Sequence, residues 1–431
     1  MTPRSVLNLP RFFRKAFGAT LVLWSLVPPA YGLELQAGEE LVEPDLTIGC
    51  LYPLTGPMGF FGRDADVAIG MALDQLKHLN QQYINAGETR LYPRLKVLLE
   101  DSKGKRHRSM TLARQLVEEQ GVDILCGIVY SSIALEISAY AERQEMLFIG
   151  AGHTSSRLTQ APVNPWYFRV NNDSRQSMRA GARYLKEMQS ETPWTTLAYV
   201  GPDYDYGHQA LEDLLEGLEA LDVPFEISAE YYPKLSEPDY SAYIEALLLS
   251  PPDIVVCNFF GDDFANFVRQ AHLQGLLEVS QLANFDTGGG YSVMAALGND
   301  LPPGVILAGH HHNNWPDTPG NREFVGEFYR RSGRYPNFMA ESSYSVVMAV
   351  AEAWRKAETM DAEGIRQSLE GLKLSLPEDP PGFQSWIDPV SHQVMQVIAI
   401  GESIPNDDYP PATRMLGNWK IYKPELEPPN R

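Results

Sequence analysis

DILCGIVYSSIALEISAYAERQEMLFIGAGHTSSRLT, residues Asp123 to Thr159, is the stretch whose reading decides the fold. It opens with the apolar run Ile124 to Val129 and breaks at the pair Ser131 and Ser132. Apolar residues then recur at Ile133, Ile137, Tyr140 and Ala141, a spacing that suits one helix face. A second apolar run, Met146 to Ile149, breaks into the hydroxyl-rich loop Gly150 to Ser156. The pattern is strand, polar turn, helix, strand, polar turn. Two successive βα turns of a parallel sheet put both polar loops at the carboxyl ends of their strands, where open α/β sheets bind small molecules. Ser131 reads as an N-cap, and the free N–H groups after it form an anion site suited to a carboxylate or carbonyl oxygen. The plainer alternative is that Ser131 and Ser132 only cap their helix.

The same alternation runs outward in both directions. On the N-terminal side, a strand at Leu46 to Tyr52 leads through the Pro- and Gly-rich loop 53–62 into a helix at about 64–79, capped by Asp64. A strand at 95–99 and a helix at 109–120, stopped by Gly121, complete this first series. After the focal stretch come a strand or extended linker at 166–170 and a helix at 174–188. Strands at 196–200, 225–232, 254–258 and 281–284 then alternate with helices at 209–221, 240–249 and 263–274. Their terminal loops are Gly201 to Gly207, Phe259 to Gly261 and Phe285 to Gly290. A short strand at 305–308 runs into Gly309-His310-His311-His312-Asn313-Asn314, helices at 322–331, 341–357 and 362–369 follow, and 394–400 alternates as a strand. Such alternation marks parallel α/β topology. With no long linker between the two series, the expectation is two lobes joined by several chain crossings.

Composition sets the class. The chain has 431 residues, 44% of them hydrophobic and 21% charged, enough for two α/β layers. Arg4, Arg11, Arg14 and Lys15 precede the apolar run Ala16 to Val27, and Ala30 and Gly32 supply small residues at the minus three and minus one positions. Residues 1–32 therefore read as a cleavable export signal, with an uncleaved anchor as the competing reading. Removing them takes the formal charge from -20 to about -24, which argues against nucleic acid and anionic lipid as partners. Cys50, Cys126 and Cys257 are too few for a disulfide framework, and the default expectation is three buried thiols, with a Cys50 to Cys126 bridge possible if their strands are neighbours. No G-x-S-x-G, H-E-x-x-H or P-loop is present, so no enzyme and no cofactor is expected. Three adjacent histidines alternate faces on an extended chain and rarely converge on one ion, so a metal is not expected either.

From Leu46 to Ile400 the chain resembles the type I periplasmic solute-binding proteins of the branched-chain amino acid, amide and urea group, exported receptors of ABC importers. The resemblance is carried by YPLTGPMGFFG at Tyr52, the Ser131 pair, GAGHTSSRLT at Gly150, YFRVNND at Tyr167, DYDYG at Asp203, RQAHLQGL at Arg269, and YRRSGRYPN at Tyr329 before a helix holding Tyr344. It implies two Rossmann-like lobes with parallel sheets and three hinge crossings. Lobe 1 would hold 46–168 plus 312–392, lobe 2 would hold 169–311 plus 393–421, and 422–431 would be a loose tail. Hinge closure over a small polar ligand is implied. Ser131, Ser132 and Thr154 match the positions that hold a ligand carboxylate, Asp286 the acid that meets an ammonium, and Phe61, Tyr206 and Phe260 the aromatic walls. His153 departs from the family pattern and either contacts the ligand or narrows the pocket. The implied partners are a small-molecule ligand, such as an amino acid, amide or urea-like solute, and an ABC permease, for a monomeric periplasmic receptor. The alternative is a sensor or regulator with the same fold.

Overall fold

The computed structural model describes residues 43–425. The reading of 1–32 as an export signal lies outside the described residues, as does most of the expected tail. In chain order the elements are β1 (Leu46–Tyr52), α1 (Gly59–Asn85), β2 (Leu95–Asp101), α2 (Arg106–Arg114), β3 (Ile124–Gly127), α3 (Ser131–Arg143), β4 (Leu147–Gly150), β5 (Tyr167–Arg169), α4 (Ser174–Glu191), β6 (Thr196–Val200) and α5 (Asp205–Ala220). Then come β7 (Glu226–Tyr231), α6 (Ser241–Leu249), β8 (Ile254–Cys257), α7 (Gly261–Leu273), α8 (Leu276–Val279), β9 (Gln281–Asn284), α9 (Tyr291–Leu297) and β10 (Ile306–Ala308). The chain ends with α10 (Pro319–Ser332), α11 (Phe338–Lys356), α12 (Ala362–Leu369), β11 (Trp386–Ile387), β12 (Val394–Met395), β13 (Ile398–Pro405) and β14 (Arg414–Tyr422).

The strands form two mainly parallel sheets, in the orders β2-β1-β3-β4-β5 and β14-β13-β10-β9-β8-β6-β7. In these two sheets the antiparallel pairings are β10 with β13 and β13 with β14, on one side of the second sheet, and β11 and β12 form a separate two-stranded antiparallel ribbon. The inner strands β1, β3, β4 and β8 are buried along their whole length, as apolar runs covered by helices on both faces must be. Alternate side chains serve alternate faces. Ile48, Cys50, Ile124 and Cys126 enter the core under α1 and α11, while Leu51 and Leu125 enter the one under α2 and α3. After β10 the chain returns to the first sheet, where α10 and α11 pack on α1, and β13 then goes back to the second.

Four readings are corrected. First, Cys50 and Cys126 are bridged, not free: β1 and β3 are parallel neighbours in a register that opposes the two residues on one face, with Cα atoms 4.4 Å apart. Cys257 alone is a free thiol, buried, with burial pushing its pKa up. Second, α1 begins at Gly59 and not near Asp64, which instead lies buried inside the helix and pairs with Arg334 at 2.5 Å. The glycines read as loop formers have a packing purpose there, since a Cβ on Gly62 would stand 2.2 Å from the Pro53 carbonyl. Gly207, in the first turn of α5, stands in the same relation to Pro202 at 2.0 Å, so the strand, proline, glycine-led helix device occurs once over each sheet. Third, Ser131 is the first residue of α3 and not its cap, because the Tyr130 carbonyl already accepts the N–H groups of Ile133 and Ala134 at 3.0 Å each. Fourth, residue 422 is no tail: Tyr422 is buried at the end of β14, a strand not anticipated.

The two halves meet at a buried carboxylate. Asp213 of α5 accepts both from Ser156, beyond β4, at 2.9 Å to either oxygen, and from Ser174, at the start of α4, at 2.5 Å. Burial lifts its pKa to about 7 against the lowering by Ser174, Ser156 and Gln209, with Asp173 adding to the rise. The folded chain therefore keeps a proton that the unfolded carboxyl has lost, and the contribution of Asp213 to stability falls as pH rises from about 4 to 7, then levels off.

Two measurements check these points. Replacing Cys50 and Cys126 together by Ala is expected to cost about 2–4 kcal/mol in denaturant unfolding, because the bridge closes a long loop in the unfolded chain; an unchanged midpoint would mean that the bridge is absent in solution. Comparing unfolding free energies at pH 5 and pH 7.5, Asp213→Asn is expected to lose less stability than the wild type over that interval, and equal losses would refute the raised pKa.

Candidate functional site

Between the carboxyl ends of the two sheets lies a cavity of ≈ 20 Å³. Val129, Ser131, Gly152 and Thr154 wall it from loops of the first sheet, and Tyr204, Tyr206, Phe260 and Thr287 from loops of the second, with Phe338 at the head of α11. The space holds about one water, so any organic ligand requires the halves to part.

The helices explain what such a space favours. Ser131 opens α3, Tyr204 and Tyr206 flank the start of α5, Phe260 is the cap residue of α7, and Phe338 opens α11. Four helix N-termini thus border one cavity, each a partial positive charge of backbone origin, with Asn337 capping α11 through the Met339 N–H and Asp205, Asp262 and Asp263 in the first turns of α5 and α7. The caps of α3, α5 and α7 are Tyr130, Tyr204 and Phe260, none of which accepts with its side chain. Ser131 Oγ receives the Ser155 N–H at 3.2 Å, which leaves its own O–H to donate. The wall is aromatic elsewhere: Tyr206 meets Phe260 edge-on at 6.3 Å, and Tyr130 approaches Tyr204 across the cleft at 6.3 Å.

One side chain shapes the loop after β9. Asn284 Oδ1 accepts the N–H groups of Asp286 (3.1 Å), Thr287 (3.1 Å) and Gly288 (2.9 Å), while its Nδ2 donates to the Phe259 carbonyl at 2.9 Å. This fixes Thr287 in the cavity wall and Asp286 behind it. Asp286 Oδ2 accepts from the Tyr206 hydroxyl at 2.7 Å, and Oδ1 from Ser177 Oγ and His310 Nε2, both at 2.7 Å. Burial pushes its pKa up, but His310, with the Tyr206 and Ser177 hydroxyls, more than reverses this and holds the carboxyl below its ordinary value.

The residues singled out in the sequence divide into two groups. Ser131, Thr154, Tyr206 and Phe260 meet at the cavity, with Asp286 directly behind Tyr206. Ser132 is exposed on the outer side of α3. Phe61 packs behind the wall, 5.3 Å from the ring of Phe338. His153 is fully buried and turned into the core, where its Nδ1 meets the Ile128 carbonyl at 2.9 Å and its Nε2 the Tyr167 hydroxyl at 2.7 Å. Burial, with help from Arg169, lowers its pKa to about 3 and keeps it neutral. Ile128 has φ 75°, a costly conformation for a β-branched residue, so His153 steadies the strained turn that leads to Ser131. Tyr204, Thr287, Asn284 and His310 complete the arrangement; Tyr204 is legible as a loop aromatic and His310 as one of three adjacent histidines, while Thr287 and Asn284 are marked only by their place at a strand end. The three histidines 310–312 are buried, and among the described residues no cluster of His, Cys, Asp or Glu could hold a metal ion.

A larger groove of ≈ 790 Å³ lies apart from this cavity, along the outer face of α4. Its cations are already engaged, Arg175 and Arg179 with Glu216 and Arg183 with Glu425, and the start of α4, which borders it, is already capped by Asp173. The small cavity, not the large groove, has the directed polar chemistry of a binding site.

The chain is similar to known proteins along most of its length. A family model described as periplasmic binding protein matches residues 45–408. The Leu/Ile/Val-binding protein homolog 7 of Brucella abortus is 22% identical over 364 residues, 81% of this chain and 86% of that protein. Among solved structures, a solute binding protein of an ABC transporter from Rhodopseudomonas palustris, in complex with 3,4-dihydroxy benzoic acid, superposes with a TM-score of 0.73 at 21% identity, covering 89% of this chain and 98% of that one. A leucine binding protein from Thermotoga maritima superposes with a TM-score of 0.71 at 16% identity, covering 87% and 98%. Among the described residues no helix is long and apolar enough to cross a membrane.

Asn284→Ala would leave three buried N–H groups without their acceptor. It is expected to cost about 1–3 kcal/mol in denaturant unfolding, and a change below about 0.5 kcal/mol would show that the loop does not depend on this side chain.

Proposed function

Because the chain belongs to the periplasmic binding protein family, we propose that it is the exported solute receptor of an ABC importer and takes a small organic carboxylate between its two sheets. The observation that carries this reading is the meeting of four helix N-termini, with the hydroxyls of Ser131 and Thr154, at one small aromatic-walled cavity. Relatives solved with small molecules support the class, one holding 3,4-dihydroxy benzoic acid and another benzoate. The moving bodies are lobe 1, at 46–168 plus 312–392, and lobe 2, at 169–311 plus 393–421. The open cleft offers Ser131 and Thr154 to the carboxylate, and closure brings Tyr206 and Phe260 over the ligand. Asp286 holds Tyr206 from behind, Phe61 backs Phe338, and His153 sets the turn before Ser131. The closed monomer then presents a joint surface of both lobes to the permease.

A ligand that binds only the native state raises the melting point in proportion to its occupancy. In a thermal-shift screen of the mature chain against carboxylic acids, amides, urea and polyamines, the largest shift is expected from a small carboxylic acid. Ser131→Ala is expected to weaken that ligand about tenfold, roughly 1.4 kcal/mol, by titration calorimetry. Shifts from polyamines alone, or an affinity untouched by Ser131→Ala, would overturn the reading.

A further inference from the structure

We infer that the cleft selects carboxylic acids bearing a neutral hydrogen-bonding group and rejects those bearing an ammonium, with Thr287, and not Asp286, as the polar contact from the second sheet. The inference rests on the carboxylate reading and narrows it.

An ammonium group needs a carboxylate it can reach. Asp286 is the acid placed by the loop after β9, yet its three donors come from three separate elements: Ser177 of α4, Tyr206 of α5 and His310 beyond β10. Each lies at 2.7 Å. Tyr206 also stands between Asp286 and the cavity, being itself part of the wall. To reach Asp286, an ammonium would have to displace Tyr206 from the wall, and its hydroxyl would then be buried without this acceptor. The pairing of His310 with Oδ1, buried on both sides, holds the carboxylate in its place behind Tyr206.

Thr287 is in the opposite condition. It lines the cavity and is only 5% exposed, and its Oγ1 meets no hydrogen-bond partner among the described residues. A buried hydroxyl without a partner is costly unless something completes it. A threonine hydroxyl both donates and accepts, so it matches a ligand hydroxyl, carbonyl or ether oxygen and makes no selective claim on a cation. Its neighbours are flat: Tyr204, Tyr206, Phe260 and Phe338 leave room that a planar acid fills better than a branched aliphatic one once the halves part. The first-sheet side takes the carboxylate, and Thr287 reads the substituent opposite.

Titration calorimetry on the full mature chain with 4-hydroxybenzoate, benzoate, phenylalanine and leucine tests this. The two benzoates are expected to bind at least about tenfold more tightly than either amino acid. Thr287→Val is expected to weaken 4-hydroxybenzoate about tenfold while changing benzoate by less than about threefold, and Thr287→Ser to restore the hydroxy acid. An unliganded melt of each variant separates misfolding from lost contacts. Leucine or phenylalanine binding more tightly than the benzoates, with the loss on Ser131→Ala intact, would overturn the inference and leave the carboxylate reading standing. Binding that ignores Ser131→Ala, or none by any of the four acids, would overturn both.

Discussion

The constraint on which the rest depends is the common direction of the strands. When neighbouring strands run parallel, every following helix must start at the same edge of the sheet, so the unpaired N–H groups of α3, α5 and α7 all end up on the side where the chain leaves β3, β6 and β8. Facing two such sheets toward each other doubles the effect, and α11 adds a fourth N-terminus from outside either sheet. A positive field built from backbone costs no ionisable side chain and does not vary with pH. It works against local acids as well as the net charge of -20, since Asp205 stands in the first turn of α5, Asp262 and Asp263 in that of α7, and Asp286 behind the wall.

Much of the scaffold was legible because burial on both faces leaves a mark. β1, β6 and β9 were read at their observed bounds, as apolar runs ended by Pro, Gly or Asn. The starts of α4 and α12 are legible to the residue, but those of α1, α2, α5, α7, α10 and α11 read late. Gly59 to Gly62 and Asp205 to Gly207 look like loop, and only the approach of the Pro53 and Pro202 carbonyls shows why a helix uses glycine in its first turn. β14 left no alternating signal because Asn418, at φ 50°, interrupts it and β13 shifts register opposite. The Cys50–Cys126 bridge was open to conjecture and no more, since register between strands separated by 76 residues is set by tertiary packing.

The site was legible as a set of strand ends but not as a set of contacts. Ser131, Thr154, Tyr206 and Phe260 share a wall because the topology brings their loops together. What decides the role of Asp286 lies 109, 80 and 24 residues away in Ser177, Tyr206 and His310, and no local pattern announces such partners. His153 shows the converse. Its place beside Thr154 points to a ligand contact, yet alternation along the turn sends its ring into the core, where it satisfies Ile128 and Tyr167.

His310 connects the wall of the cavity to the chain crossing that follows β10. Its Nε2 ties the crossing to Asp286, and its ring lies 5.5 Å from Phe338. The next two histidines stay uncharged because burial, the leading cause in each case, lowers their pKa values to about 3 for His311 and about 4 for His312. His311 and His312 therefore bring polar groups into the crossing without adding charge. That economy has a cost, since His310 Nδ1 and His312 Nε2 are buried and meet no partner among the described residues. A buried group left unmatched in this way costs about 1–3 kcal/mol. Ser177, Tyr206, Asp286 and His310 all belong to the 169–311 segment, so the three donors on Asp286 fix the shape of one wall of the cavity and do not bridge the two sheets. A ligand that engages the wall without disturbing those donors leaves that shape intact, whereas one that pulls Tyr206 from Asp286 must first replace what it breaks.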